Sequence, residues 1–312
     1  MQPKIKVIGV GGSGANTISR IAKFQKPLDA GKQEVELLAM NTDAQALHFS
    51  KADKKILLGR DITQGLGTGM DAGLGKKAAE EARQEILENI KGADMIFITC
   101  GLGGGTGSGA SPVVAEISKE LGILTIGVVT LPFSFEGAER KRIAEGSLKN
   151  LKEKVDSLLV ISNDKLLKVI SEKTTVSDAF LMCDDILREA VQSITNTILV
   201  PGIINIDFAS VISIMKNSGQ ALFGVGRASG ESRATHAAEL AISSPLLDFS
   251  IKGAKGVLFS VSGNDVSLTE IKEAARIITE NVDSGAQIIF GAVKDNDLKK
   301  GEIKITVIAT KL

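Results

Sequence analysis

Short apolar runs alternate with longer amphipathic stretches along the first half of the chain. Residues 4–10, 35–41, 93–100, 123–131 and 155–162 are rich in Val, Ile and Leu, the pattern of strands covered on both faces. Between them the spacing predicts helices from about Asn16 to Lys26, over 71–90, over 110–121 and over 136–151. Strands alternating with helices point to an α/β chain with a doubly wound, mostly parallel sheet. From Val176 to Leu199 apolar residues recur close to every 3.6 positions, and Pro201 and Gly202 then stop the helix. Beyond it the pattern predicts a short helix over 207–217, strands near 220–228, 255–262, 286–293 and 302–310, and helices over 232–243 and 268–281. The expected organisation is residues 1–175, a central helix over 176–202, and a second, smaller α/β domain over 203–312. No internal repeat or low-complexity segment interrupts it.

Composition narrows the function. With 312 residues the chain can bury a core without a disulfide or metal staple. Lys plus Arg equals Asp plus Glu at 37 each, which argues against a dedicated nucleic-acid binder. No apolar run reaches the roughly 18 residues of a membrane span, and the apolar run near the N-terminus is too short for a signal peptide. Cys100 and Cys183 lie far apart, as do His48 and His236, so neither a disulfide framework nor a zinc site is expected. The expectation is a soluble, cytoplasmic protein with no direct membrane insertion.

Glycine changes the picture more. Sixteen of the 33 glycines fall in three windows, 9–14, 59–75 and 101–109. The first, Gly9-Val10-Gly11-Gly12-Ser13-Gly14, joins a strand to a helix and satisfies G-x-G-x-x-G, where loop amides and a helix N-terminus make an anion cradle. The third, Gly101-Leu102-Gly103-Gly104-Gly105-Thr106-Gly107-Ser108-Gly109, also joins strand to helix. It carries no lysine in the G-K-[ST] position, so it is not a Walker loop. Phosphate charge would have to be met by amides, helix dipoles and Mg2+. A tight turn without a ligand is the plainer reading of the first window, and a flexible loop that of the third. A nicotinamide-dependent oxidoreductase is another, but it gives the third window no role, and Asp43 lies 29 residues past Gly14 where about 20 is usual.

The third window closely resembles the G-G-G-T-G-[ST]-G signature of the tubulin/FtsZ family. Other stretches resemble the same family in the same order: Asn41 to Leu47, Val129 to Phe133, Phe135-Glu136-Gly137, Ser162 to Leu167, and Ser244-Pro245-Leu246-Leu247. The resemblance runs over essentially the whole chain. It implies a GTP-binding domain, a central helix, and a C-terminal domain that docks on the next subunit. It also implies GTP/GDP as ligand with Mg2+ on the phosphates, homopolymeric filaments, a role in prokaryotic cell division, and division-machinery partners. By resemblance Gly11, Gly12, Ser13, Gly14, Ala15 and Asn16, with Asp43 and Gly69, line the nucleotide. Gly103, Gly104, Gly105, Thr106 and Gly107 hold the phosphates. Glu136 and Arg140 lie near the ribose, although alone they read as an i,i+4 surface ion pair. Asn163, Phe180 and Asp185 match base-recognition positions. A carboxylate such as Asp185 can accept from both adjacent donors of guanine, whereas adenine would leave it unpaired. Asp184 and Asp185 otherwise read as a solvated helix face, and Phe180 as core packing.

The stretch Asn205-Ile206-Asp207-Phe208-Ala209-Ser210-Val211 resembles the family's N-x-D-F-A-D-V loop, which reaches the neighbouring subunit's nucleotide. Asn205 and Asp207 are kept, as catalytic candidates. Ser210 replaces the final acidic residue, so slow hydrolysis with assembly preserved is expected, or a GTP-binding assembly protein that does not hydrolyse. In the middle window Asp71 stands where the family usually has Asn; an Asp near a γ-phosphate would repel it unless it faces away or meets a metal, and helix capping is the favoured account. The resemblance leads one to expect a disordered linker and a short tail peptide that binds membrane-tethering partners; neither follows Leu312 in this sequence, as in a trimmed or a naturally tail-less form.

Overall fold

The apolar run after Lys4 becomes strand β1 (Ile5–Val10) in the computed structural model, which describes residues 2–24, 35–167, 171, 173–200, 202–244, 250–295 and 298–311. The chain forms two units, residues 1–192 and 193–312, and the division falls inside a long helix.

In the first unit β1 is followed by α1 (Gly11–Phe24), β2 (Val35–Asn41), α2 (Ala44–Phe49), β3 (Lys54–Leu57) and α3 (Arg60–Thr63). Next come α4 (Ala72–Glu81), α5 (Arg83–Ile90), β4 (Met95–Gly101), α6 (Gly105–Glu120) and β5 (Leu124–Leu131). After a 3-10 turn at Ser134–Glu136 come α7 (Ala138–Lys152), β6 (Ser157–Ser162), α8 (Asn163–Leu166) and α9 (Val176–Leu199). The strands lie in the order β3-β2-β1-β4-β5-β6, and every pair is parallel. Chain order reverses between β1 and β4, and in such sheets ligands bind beyond the carboxyl ends of the strands at that crevice. Its core packs Ile8, Val10, Ile96 and Ile98 of the central strands with Val113, Val114 and Ile117 of α6.

In the second unit the strands are β7 (Gly219–Ser229), β8 (Gly256–Gly263), β9 (Gln287–Lys294) and β10 (Glu302–Thr310). They are ordered β7-β10-β8-β9; β10 runs antiparallel to β7 and β8, while β8 and β9 are parallel. Helices α10 (Phe208–Met215), α11 (Arg233–Ile242) and α12 (Leu268–Thr279) complete it. Ala234, Ala237 and Ala241 pack with Val257, Phe259 and Ile305 in its core.

Three differences from the periodicity matter. α1 begins at Gly11 rather than Asn16, and α6 at Gly105 rather than Ala110. Glycine disfavours a helix by about 1 kcal/mol in isolation, but here the glycines let the first turns press against other backbone, and that packing prevails. The stretch 71–90 breaks at Ala82 into α4 and α5. The region 44–63, for which no element is expected, holds α2, β3 and α3, each too short to show a period. The expected end of the first helix at Lys26, Pro201, and Pro245 to Leu247 lie outside the described residues.

Candidate functional site

The turns leaving β1 and β4 meet at the switch point. Gly11 takes φ +74°, and a Cβ on it would stand 2.9 Å from the Gly107 nitrogen, so the first and third windows touch. A Cβ on Gly14 would stand 2.6 Å from the Thr99 carbonyl, and one on Gly101 3.0 Å from the Ser13 Cβ. Gly12 and Gly104 meet nothing within 4 Å. Asn16 is exposed, Ser13 half-buried and Ala15 buried. Gly104 caps α6 in an extended conformation with no side-chain hydrogen bond, so the helix presents uncapped amides there. The Gly103 amide is taken by the Ser108 hydroxyl at 2.8 Å, and a Cβ on it would stand 2.9 Å from the Arg140 carbonyl oxygen.

Glycines of one motif therefore do different work. Gly12→Ala meets open space and is expected to leave the melting temperature unchanged while weakening nucleotide binding. Gly14→Ala collides with the β4 backbone and is expected to lose about 2 kcal/mol of stability. Thermal melts with and without GDP compare the two; equal melting losses would contradict the division.

The middle window is docked rather than loose. Gln64, Gly65, Gly67, Gly69 and Met70 all have positive φ, the coiling of a tight double turn. Ala44 N donates to Gly65 O at 3.0 Å and Gly67 N to Thr42 O at 3.1 Å. The Thr106 hydroxyl, at the start of α6, lies 2.6 Å from that of Thr42 and 3.4 Å from that of Thr68. Asp43 caps α2 by accepting from Ala46 N at 2.9 Å, and Asp71 caps α4 by accepting from Leu74 N at 3.0 Å. Gly69 faces open space.

The remaining expected residues stand on the 3-10 turn, α7, α8 and α9. Arg140 donates to Glu136 at 2.8 Å, and the other Glu136 oxygen accepts from Phe133 N at 2.8 Å. Phe133 is buried; Phe135 stacks on it at 4.9 Å, and Phe180 meets it edge-on at 5.3 Å, so 40% of Phe180 stays exposed. Asn163 is buried, and its side-chain oxygen has no hydrogen-bond partner. An unpaired buried amide oxygen costs about 1–3 kcal/mol, so this one awaits a donor.

Arg20 of α1 reaches two neighbouring carboxylates on α9, Asp185 at 3.0 Å and Asp184 at 3.5 Å. Asp185 is 46% exposed and also pairs with Arg188; Asp184 is only 13% exposed. Burial pushes the Asp184 carboxyl up to about 6, against the pull of Arg20 and with the help of Asp185.

In the second unit, Asn205 Oδ1 accepts from Gly202 N at 2.7 Å, and Asp207 caps α10 by accepting from Ser210 N at 2.7 Å. Hydrogen bonds from the Ser210 side chain and amide hold the Asp207 carboxyl below the usual carboxylate range. Asn205 and Asp207 are exposed and Ser210 half-exposed.

The model of the tubulin/FtsZ family GTPase domain matches residues 4–171, which carry both glycine turns, and that of the FtsZ family C-terminal domain matches 219–312. The chain belongs to the tubulin/FtsZ family. Two FtsZ structures from M. jannaschii, an empty dimer and a tryptophan-to-tyrosine mutant, share 43% identity with it at TM-score 0.93. They cover 99% of this chain, and it covers 88% and 91% of theirs. CetZ2 from Haloferax volcanii, a GTPγS-bound protofilament, matches at 24% identity and TM-score 0.82 over 98% of this chain and 92% of its own; that likeness speaks to fold. As a member of the tubulin/FtsZ family the chain is a GTP- and GDP-binding GTPase of the kind that assembles with itself into cytoskeletal filaments. Among the described residues no helix is long and apolar enough to cross a membrane.

Within this tubulin/FtsZ chain, Asp184 reads in the sequence only as part of a solvated helix face, yet the fold leaves it 13% exposed beside Arg20. Its signal was present: four residues after Phe180 on a helix is the same face, whereas five, at Asp185, is not. Thr42 and Thr68 carried no such signal, because only folding brings them to Thr106.

Proposed function

We propose that GTP lies across the β1/β4 crevice, its phosphates over Gly12, Gly104 and the uncapped start of α6. The observation that carries this is the combination of two open glycines and an uncapped helix N-terminus with the unpaired Asn163 oxygen on the same edge of the unit. Gly11, Ser13, Gly14, Ala15, Asn16, Gly103, Gly105, Thr106 and Gly107 shape the phosphate cradle, with Asp43 and Gly69 beside it. Glu136 and Arg140 take the ribose. Phe180 offers an exposed ring face to the base, and Asn163 and Asp185 hydrogen-bond it. Asp184, on the Phe180 face, joins them as the more buried acceptor. Mg2+ would ride on the phosphates and supply charge neutralisation, which suits a cradle without a lysine.

Hydrolysis is completed by the next subunit in a head-to-tail filament, a contact that does not close on itself. There Asn205 and Asp207 orient the attacking water. The Ser210 amide fixes the Asp207 carboxylate at the start of α10, which suits it to an orienting part. Ser210 adds no charge, and slow turnover follows. The Ser210 position also favours a second reading, a GTP-binding filament protein with no useful turnover. In either case the protein works in the cytoplasm with division-machinery partners. GTP-dependent pelleting with parallel phosphate release tests the proposal: pelleting with slow release supports the first reading, pelleting with none the second, and no GTP-dependent pelleting rejects both.

A further inference from the structure

Two ties to one strand bracket the loop that carries Asn205, Asp207 and Ser210. Before it, Ile203 N and Ile204 N both donate to the Ala292 carbonyl of β9, at 2.7 and 3.1 Å, and Ala292 N donates back to Ile204 O at 3.0 Å. The Ile206 side chain is buried over Gly291, where a Cβ would stand 3.1 Å from its Cδ1 and Cγ1. A Cβ on Gly202 would stand 2.4 Å from the Ala292 carbonyl oxygen, closer than a side chain permits. After it, Gln287 at the other end of β9 donates to the Ser213 hydroxyl of α10 at 2.9 Å. β9 is the outer strand of its unit's sheet order, next to β8. Such a strand has backbone groups facing away from the sheet, and here Ala292 spends its own on the loop.

Loops ordinarily hold their backbone toward water and move. This one is tied to the same strand on either side, the second tie lying on α10 itself at Ser213. Asp207 caps α10, so its carboxylate points where that helix start points. We propose that β9, through Gln287, Gly291 and Ala292, is the positioning element of the catalytic loop, and that Gly202 is the residue that lets the loop seat on it. These residues act through Asn205 and Asp207 and touch no substrate. The inference rests on the reading that this loop completes the neighbouring subunit's site.

The geometry makes the loop's placement sensitive, since a shift of about 1 Å at an orienting group can cost about 100-fold in rate. The test uses Gly202→Ala, Gly291→Ala, and Gly291→Ala combined with Ile206→Ala, each in the unmodified chain and in the Ser210→Asp chain. Three quantities are read: GDP affinity, GTP-dependent pelleting, and phosphate released per pelleted subunit. Gly202→Ala is expected to lower phosphate release per pelleted subunit by about tenfold or more, with GDP affinity unchanged within about twofold. Gly291→Ala gives a smaller loss, which Ile206→Ala relieves by removing the crowding atoms.

Unchanged release per pelleted subunit in Gly202→Ala overturns the proposal. So does a loss accompanied by equal losses of pelleting and GDP affinity, which would mean general damage. If the parent pellets but releases no phosphate even with Ser210→Asp, the reading of the loop as the neighbour's partner fails first, and the two failures are thereby distinct. Amide hydrogen exchange in the unmodified chain needs no variant to fold. Ile203 and Ile204 amides protected like those of β8 support the clamp, and exchange as fast as in open loops overturns it.

Discussion

Replacing Ser210 with aspartate should raise phosphate release per polymerised subunit by about a hundredfold, the scale of a positioned acid or base in hydrolysis. The fold is prepared for the change. Ser210 is the third residue of α10, whose first turn contains no acidic residue. A carboxylate there meets the positive end of the helix dipole, worth about 0.3–1 kcal/mol, which offsets repulsion from Asp207. The exchange also acts on Asp207 itself. The Ser210 side chain now helps to hold the Asp207 carboxyl low. Remove that hydroxyl and add a negative neighbour, and the Asp207 carboxyl moves up, becoming a stronger base. The acid limb of the pH–rate profile should therefore move to higher pH in Ser210→Asp. Rates must be normalised to pelleted polymer, because this loop acts only in the assembled state. An unchanged normalised rate would mean that Asn205 and Asp207 alone orient the water.

Asp184→Asn should move two quantities in opposite directions. Guanine's two donors to a largely shielded carboxylate are worth about 3 kcal/mol together, so GDP affinity should fall about a hundredfold. Stability should rise. The Asp184 carboxyl is pushed to about 6 from an ordinary 3.8. Between those values the folded chain holds the proton and the unfolded chain does not. Stability from this group is therefore greatest below about 3.8, falls as pH rises toward 6, and stays low above it. Asparagine carries no such cost. At pH 7 the variant should be more stable by about 1–2 kcal/mol after the lost pairing with Arg20 is counted, and the gap should close near pH 4. GDP titration and melts at the two pH values check both halves. If Asp184→Asn leaves GDP affinity intact while Asp185→Asn destroys it, the exposed carboxylate is the base acceptor and the assignment reverses.

Much of this was open to sequence reasoning, for identifiable reasons. Buried parallel strands must be apolar along their length, so β1, β2, β4, β5 and β6 announce themselves, and α9 shows its period over 24 residues. Motifs gave the family because several short signatures occur in the right order. Elements of four to six residues, such as β3 and α3, carry no measurable period.

What the amino-acid sequence by itself determined is the alternation of elements, the strand-to-helix turns that carry the glycines, and the chemistry available at each: amides without a lysine, paired carboxylates, and a serine for an acid. What only the tertiary structure decided is which of those groups face outward. Gly12 is open while Gly14 is pressed against Thr99, and both are simply glycine in the motif. The Asp184 side chain is 13% exposed and that of Asp185 46%, although they are adjacent, because one helix step turns the side chain by about 100°. The seat of the 205–210 loop on β9 joins segments some eighty residues apart in the chain. Local sequence dictates conformation through nearest-neighbour sterics and periodicity; the choice of which identical group meets a ligand and which meets backbone belongs to long-range packing.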